Sequence, residues 1–108
     1  MLKVSVASGD SGPVLVLAGE ADVTSLTRLD RALSAQISGQ DMQLTIDATN
    51  LRYLDSASMR ALMVAAMKVR TRNGSATLLN PQPPVARMLD LLCAEQVFSI
   101  TSYSASPP

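Results

Sequence analysis

Residues 51–70 read LRYLDSASMRALMVAAMKVR. An apolar run ends at Leu54, and small polar residues fill positions 55–58. A helical pattern starts behind them, with Met59, Leu62, Met63, Ala66 and Val69 or Arg70 at successive turns. Asp and Ser are favoured N-caps because their side-chain oxygens accept the orphan amides of a first helical turn, so either Asp55 or Ser56 suits the role. The same junction would hold the hydroxyls of Ser56 and Ser58 near solvent, within reach of an enzyme. A phosphate added there would meet free amide donors and the positive end of the helix dipole. Its charge of about −1.5 to −2 would change the surface beside Asp55. Capping and modification therefore use one geometry, and the stretch alone supports both.

Outward from this junction, the chain alternates strand and helix patterns. KVSVAS at residues 3–8 reads as a strand, GDSGP at 9–13 as a turn, and VLVLAGE at 14–20 as a second strand, which together make a hairpin. Residues 22–25, DVTS, offer several N-caps for a helix carrying Leu26, Leu29, Leu33 and Ile37, with Gly39 as its stop. LTIDA at 44–48 is a third strand, followed by a loop over 50–54 and then the central helix. That helix ends at Asn73-Gly74, with Lys68, Arg70 and Arg72 crowding its last turns, where cations complement the dipole. Residues 76–79 form a fourth strand. Pro84 opens a helix with Val85, Met88, Leu89 and Leu92, and residues 97–100 form a last strand before the tail SYSASPP. The order β-β-α-β-α-β-α-β predicts an α/β fold with a small mixed sheet of four to five strands and helices packed against it. No repeat or internal boundary interrupts it.

Composition narrows the chemistry. At 108 residues and 47% hydrophobic, the chain makes one domain whose core requires no metal or disulfide. The single cysteine, Cys93, lies in MLDLLC and reads as a buried thiol. Nine basic and nine acidic residues cancel, and the aromatics Tyr53, Phe98 and Tyr103 are scattered, which argues against direct nucleic-acid binding. With no histidine, the usual Ser-His-Asp, Cys-His and most zinc sites are excluded. No stretch approaches the roughly 20 apolar residues that span a bilayer, and MLKVSVASGD lacks the apolar core of a signal peptide. The expectation is a cytoplasmic protein without catalysis, metal, cofactor or membrane insertion. In a reaction it would serve as another enzyme's substrate.

The segments GEADVTSLTRL and IDATNLRYLDSASMRALMVA, in this order of elements, resemble the STAS domain, and more narrowly the stand-alone bacterial anti-sigma factor antagonists. The resemblance covers residues 1–104, leaving 105–108 as a flexible tail. In that family a G-E-x-D segment leads into the first helix, matched by Gly19-Glu20-Ala21-Asp22, and an Asp-Ser pair opens the second, matched by Asp55-Ser56. The resemblance implies that Ser56 is the phosphorylated serine, with Ser58 a lesser candidate, and that Asp22, Asp55, Ser56 and Ser58 belong to the partner-binding surface. It implies an anti-sigma factor that is also a serine kinase, bound by the unphosphorylated form, and a serine phosphatase that resets the switch; a weak homodimer is also compatible. The chain has no Gly-rich phosphate loop of its own, which fits a substrate. One position departs from the pattern: Ser58 stands where the family commonly has glycine, adding bulk and a hydroxyl.

Two other functions compete. A STAS interaction subunit of a transport or sensory complex would need no phosphorylation. An aspartyl-phosphate receiver or small enzyme would use Asp47 at a strand end, but VSVASGD offers only Asp10 and TLLNP places Asn80 where a receiver needs lysine. Asp47 fits better as the anchor of Asx-type hydrogen bonds beside the loop that follows. The methionines Met59 and Met63 fit packing, whereas Met67 can face either way.

Overall fold

The computed structural model describes residues 1–38 and 43–102; Gly39 and the tail from residue 103 onward lie outside them. The first two strands, β1 (Lys3–Gly9) and β2 (Gly12–Ala21), form an antiparallel hairpin. Gly9 pairs with Gly12 around the two-residue turn Asp10-Ser11, and Gly12 takes φ +132°. Three further strands follow: β3 (Gln43–Leu54), β4 (Ser75–Leu79) and β5 (Ser99–Thr101). They alternate with α1 (Leu26–Ile37), α2 (Ser56–Arg70) and α3 (Pro83–Leu91).

The sheet runs β1-β2-β3-β4-β5, with every pair from β2 onward parallel. Each crossover therefore advances one strand in the same direction. Right-handed connections of that kind place all three helices on one face. Burial follows the same rule. Leu15, Leu17, Leu44, Ile46, Ala76 and Leu78 are buried, together with Leu29 and Leu33 of α1, Met59, Leu62 and Ala66 of α2, and Val85 and Leu89 of α3. The intervening residues Val14, Val16, Thr45, Asp47, Thr77 and Leu79 line the opposite face and are only half-buried. That face is open because no connection crosses it.

The expected fold is present, with local corrections. β3 continues through the stretch read as a loop over residues 50–54, pairing with β2 as far as Ala21–Leu54. Its regular alternation is broken by two bulges, between the partners of Val16 and Ala18 and between those of Gly19 and Glu20. Consequently Ala48, Leu51 and Leu54, each three residues apart, all turn into the core. Asp47 anchors the first bulge: one carboxylate oxygen accepts from the Thr49 amide at 2.9 Å and the Thr49 hydroxyl at 2.5 Å. The Asx-type bonding expected of Asp47 is thus present, inside the strand.

At the C-terminal end, α3 starts at Pro83, one residue before the proline expected to open it, so its first positions lack amides they would leave unpaired anyway. Cys93 is exposed rather than buried. The chain leaves α3 through a left-handed residue, Cys93 at φ +53°, and that turn carries the thiol outward while Ala94 and Phe98 fill the core. The last strand consequently begins at Ser99 instead of Val97.

Gly19 sits at the second bulge with φ +91°. A Cβ at this position would stand 2.2 Å from the carbonyl oxygen of Met1, so both backbone angle and space demand glycine. Gly19→Ala is expected to lower unfolding free energy by about 2 kcal/mol or more, measurable by urea denaturation; a stability equal to the parent protein's would contradict this packing.

Candidate functional site

The parallel register of β2 and β3 brings two acidic caps together. Ala21 and Leu54 are partners, so Asp22 and Asp55 leave the sheet side by side at its C-terminal edge, where open α/β sheets place ligands. The junction is fixed by a backbone bond: the Asp55 amide donates to the Ala21 carbonyl at 3.0 Å.

Both aspartates begin the sequence Asp-x-x-Ser, and the two segments behave differently. Asp22 caps a 3₁₀ turn, Val23–Ser25, that leads into α1. Its carboxylate accepts from the Thr24 amide at 3.0 Å and the Thr24 hydroxyl at 2.5 Å, while its own amide donates to Ser25 Oγ at 3.1 Å. This is a closed capping box. Asp55 caps α2, accepting from the Ser58 amide at 2.8 Å. Its own amide already donates to Ala21, so the capping-box bond from that amide to Ser58 Oγ does not form. Ser58 is fully buried, and its hydroxyl has no partner among the described residues.

Ser56 is the first residue of α2 and is exposed, as is Ala57. As first-turn residues they have amides without intrahelical acceptors. The four positions named from sequence thus divide: Asp22, Asp55 and Ser56 converge at one accessible edge, whereas Ser58 lies beneath it. Capping of α2 falls to Asp55, leaving the Ser56 hydroxyl free of that duty.

Electrostatics reinforces the edge. Hydrogen bonds from the Thr24 hydroxyl, then the Thr24 amide, hold the Asp22 carboxyl below the ordinary carboxylate range. Glu20 is lowered too, by the Met1 amino group at 2.7 Å and then by Arg52, with which it forms an ion pair. Glu20 is therefore occupied internally.

Several surface features escaped the sequence reading. Val23, 70% exposed, and Tyr53, 49% exposed, flank the acidic pair along the chain. A groove of about 270 Å³ runs between α1 and α2, lined by Leu26, Asp30, Arg60, Ala61, Val64 and Lys68, among others. Met67, half exposed, stands on α2 beyond Val64, so the methionine left open faces solvent. Among the described residues no His/Cys/Asp/Glu group could hold a metal, and no helix is long and apolar enough to cross a membrane.

The family described as Mlab, STAS domain matches residues 4–99. The chain belongs to the STAS domain family. Within it, BtrV of Bordetella bronchiseptica, provisionally named an anti-sigma factor antagonist, is 21% identical over 94% of this chain and 87% of its own length. An anti-sigma factor antagonist from Mycobacterium paratuberculosis superposes with a TM-score of 0.83 at 21% identity, covering 94% of this chain and 86% of that one. The antagonist SpoIIAA in its unphosphorylated form gives 0.77 at 17% identity, covering 94% and 90%. Its phosphorylated form, from Bacillus, gives 0.66 at 15%, covering 96% and 94%. These superpositions establish the STAS fold over the described elements.

Two outcomes follow for the STAS junction. Ser58→Ala removes an orphaned buried hydroxyl and is expected to raise unfolding free energy by about 1 kcal/mol, read by thermal or urea unfolding; destabilisation would mean that Ser58 Oγ has a partner. Thr24→Val deletes one donor to Asp22, so the Asp22 pKa should rise toward the ordinary value in an NMR titration. Because the folded pKa is depressed, the associated stability is complete above the unfolded carboxylate pKa. It disappears as pH falls through the folded value, and the variant should lose it at higher pH.

Proposed function

We propose that this protein is an anti-sigma factor antagonist that acts by binding, without catalysis of its own. In this reading it engages a kinase-type anti-sigma factor while Ser56 is unmodified, so releasing the sigma factor. The observation that carries the proposal is Ser56 itself: an exposed hydroxyl at the first position of α2, beside Asp22 and Asp55, with helix capping assigned to Asp55. Relatives named as antagonists, and a fold neighbour known in unphosphorylated and phosphorylated forms, support it.

The kinase would transfer the γ-phosphoryl group of ATP to Ser56 Oγ; the hydroxyl proton leaves and ADP departs. The new dianion would join two carboxylates at one edge. A partner covering that edge would have to desolvate this charge, and any acidic group of its own would be repelled. A serine phosphatase would reverse the change.

The competing reading is a STAS interaction subunit that does not depend on phosphate. Ser58 favours it, since a buried serine stands where the family commonly has glycine. Binding to the cognate anti-sigma factor separates the two. Ser56→Ala should bind like the parent protein, and Ser56→Asp should bind about tenfold more weakly or worse, a loss of about 1.4 kcal/mol. Equal binding by both variants would remove Ser56 from the mechanism and leave the phosphate-independent subunit.

A further inference from the structure

Ser56 and Arg60 occupy positions i and i+4 on the exposed face of α2. Residues so spaced have Cβ atoms about 5–6 Å apart, and an acid placed N-terminal to a base is the favourable order. Arg60 has no carboxylate partner among the described residues, where the ion pairs join Glu20 to Met1 and to Arg52. Arg52, the other cation close to this edge in the chain, is therefore engaged. The Asp22 carboxylate is engaged by Thr24, and Asp55 by the Ser58 amide. A phosphate on Ser56 would have two aspartates nearby and one uncommitted guanidinium a helical turn away.

We propose that Arg60 is the counter-ion of phosphorylated Ser56, an inference that rests on Ser56 being the phosphoacceptor. A guanidinium can give two parallel N–H bonds to phosphate oxygens, which a lysine ammonium cannot match in geometry. The pair fixes the phosphate against the first turn of α2. It also draws Arg60 away from the α1–α2 groove, whose lining contains Asp30, Arg60 and Lys68 as its charged groups. Phosphorylation thus alters two adjoining surfaces: a dianion appears at the sheet edge, and a cation leaves the groove. An acidic partner segment lying along the groove would lose a contact in the same event that creates repulsion beside it.

The test uses the full chain with phosphoserine installed at position 56 during translation, so no kinase is needed. The second ionisation of the phosphate, ordinarily near about 6, is followed by phosphorus NMR. A nearby cation favours the dianion and lowers this pKa; Asp22, Asp55 and Asp30 raise it, and the first-turn amides of α2 lower it, in every variant alike. Arg60→Gln should raise it by about 0.2–0.4 of a unit, and Arg60→Lys by less. Lys68→Gln, about 18 Å along the helix from Ser56, should change it little. An unchanged titration in Arg60→Gln, or an equal shift in Lys68→Gln, overturns the pairing. Failure of the phosphoacceptor reading would appear instead in partner binding by the Ser56 variants.

Discussion

The hydrogen bond from the Asp55 amide to the Ala21 carbonyl is short in reach and wide in consequence. It joins the end of β2 to the start of α2, one residue beyond the last pair of the parallel ladder. Because the amide is spent there, the capping box of α2 stays open, and the Ser58 hydroxyl is buried unpaired. Because the carboxylate remains available, Asp55 caps the helix and leaves Ser56 Oγ uncommitted. The equivalent amide at Asp22 has no such strand partner, and its capping box closes on Ser25. Two copies of one local motif thus differ through one tertiary contact.

Topology sets where this contact can matter. Four strands added in order by right-handed crossovers put every helix on one face, and the start of each helix at the C-terminal edge of the sheet. The N-terminal turns leading into α1 and α2 are consequently neighbours, and so are their acidic caps. A groove lies between the two helices and reaches Leu26 and Ala57 in their first turns, so the cap region and the groove form adjoining parts of one surface. The opposite face carries threonines, valines and Asp47 and is left open by the same rule of handedness.

What could be read from sequence was what depends on neighbours in the chain. The 3.6-residue period fixed α2 around Met59, Leu62 and Ala66, and cap chemistry marked Asp22 and Asp55 as helix starts. Bulges were invisible, since their evidence is the register against β2; without them, Leu51 and Leu54 do not look like strand residues. The family pattern singled out Ser56 over Ser58, but that Ser56 is exposed and Ser58 sealed below depends on which face of α2 packs against the sheet. Cys93 was misread for a related reason: an apolar run suggests burial, whereas a left-handed turn reverses the direction of its side chain. Arg60 carried no motif at all. Its meaning comes from being unpaired one turn from Ser56.

The fixed geometry at the start of α2 also bears on how a switch there would work. Three bonds hold this turn: Asp55 to Ala21, the Ser58 amide to the Asp55 carboxylate, and the Met59 amide to the Asp55 carbonyl at 2.9 Å. None uses the Ser56 side chain. A phosphate at Ser56 would leave all three intact and would face amides that favour a negative charge. Its effect would fall on the solvent-facing surface, through added charge and the recruitment of Arg60. A control of that kind requires a rigid support, because a yielding turn could move the charge out of a partner's way. In this reading the contact that leaves the Ser58 hydroxyl without a capping-box partner also helps hold Ser56 in place at the surface.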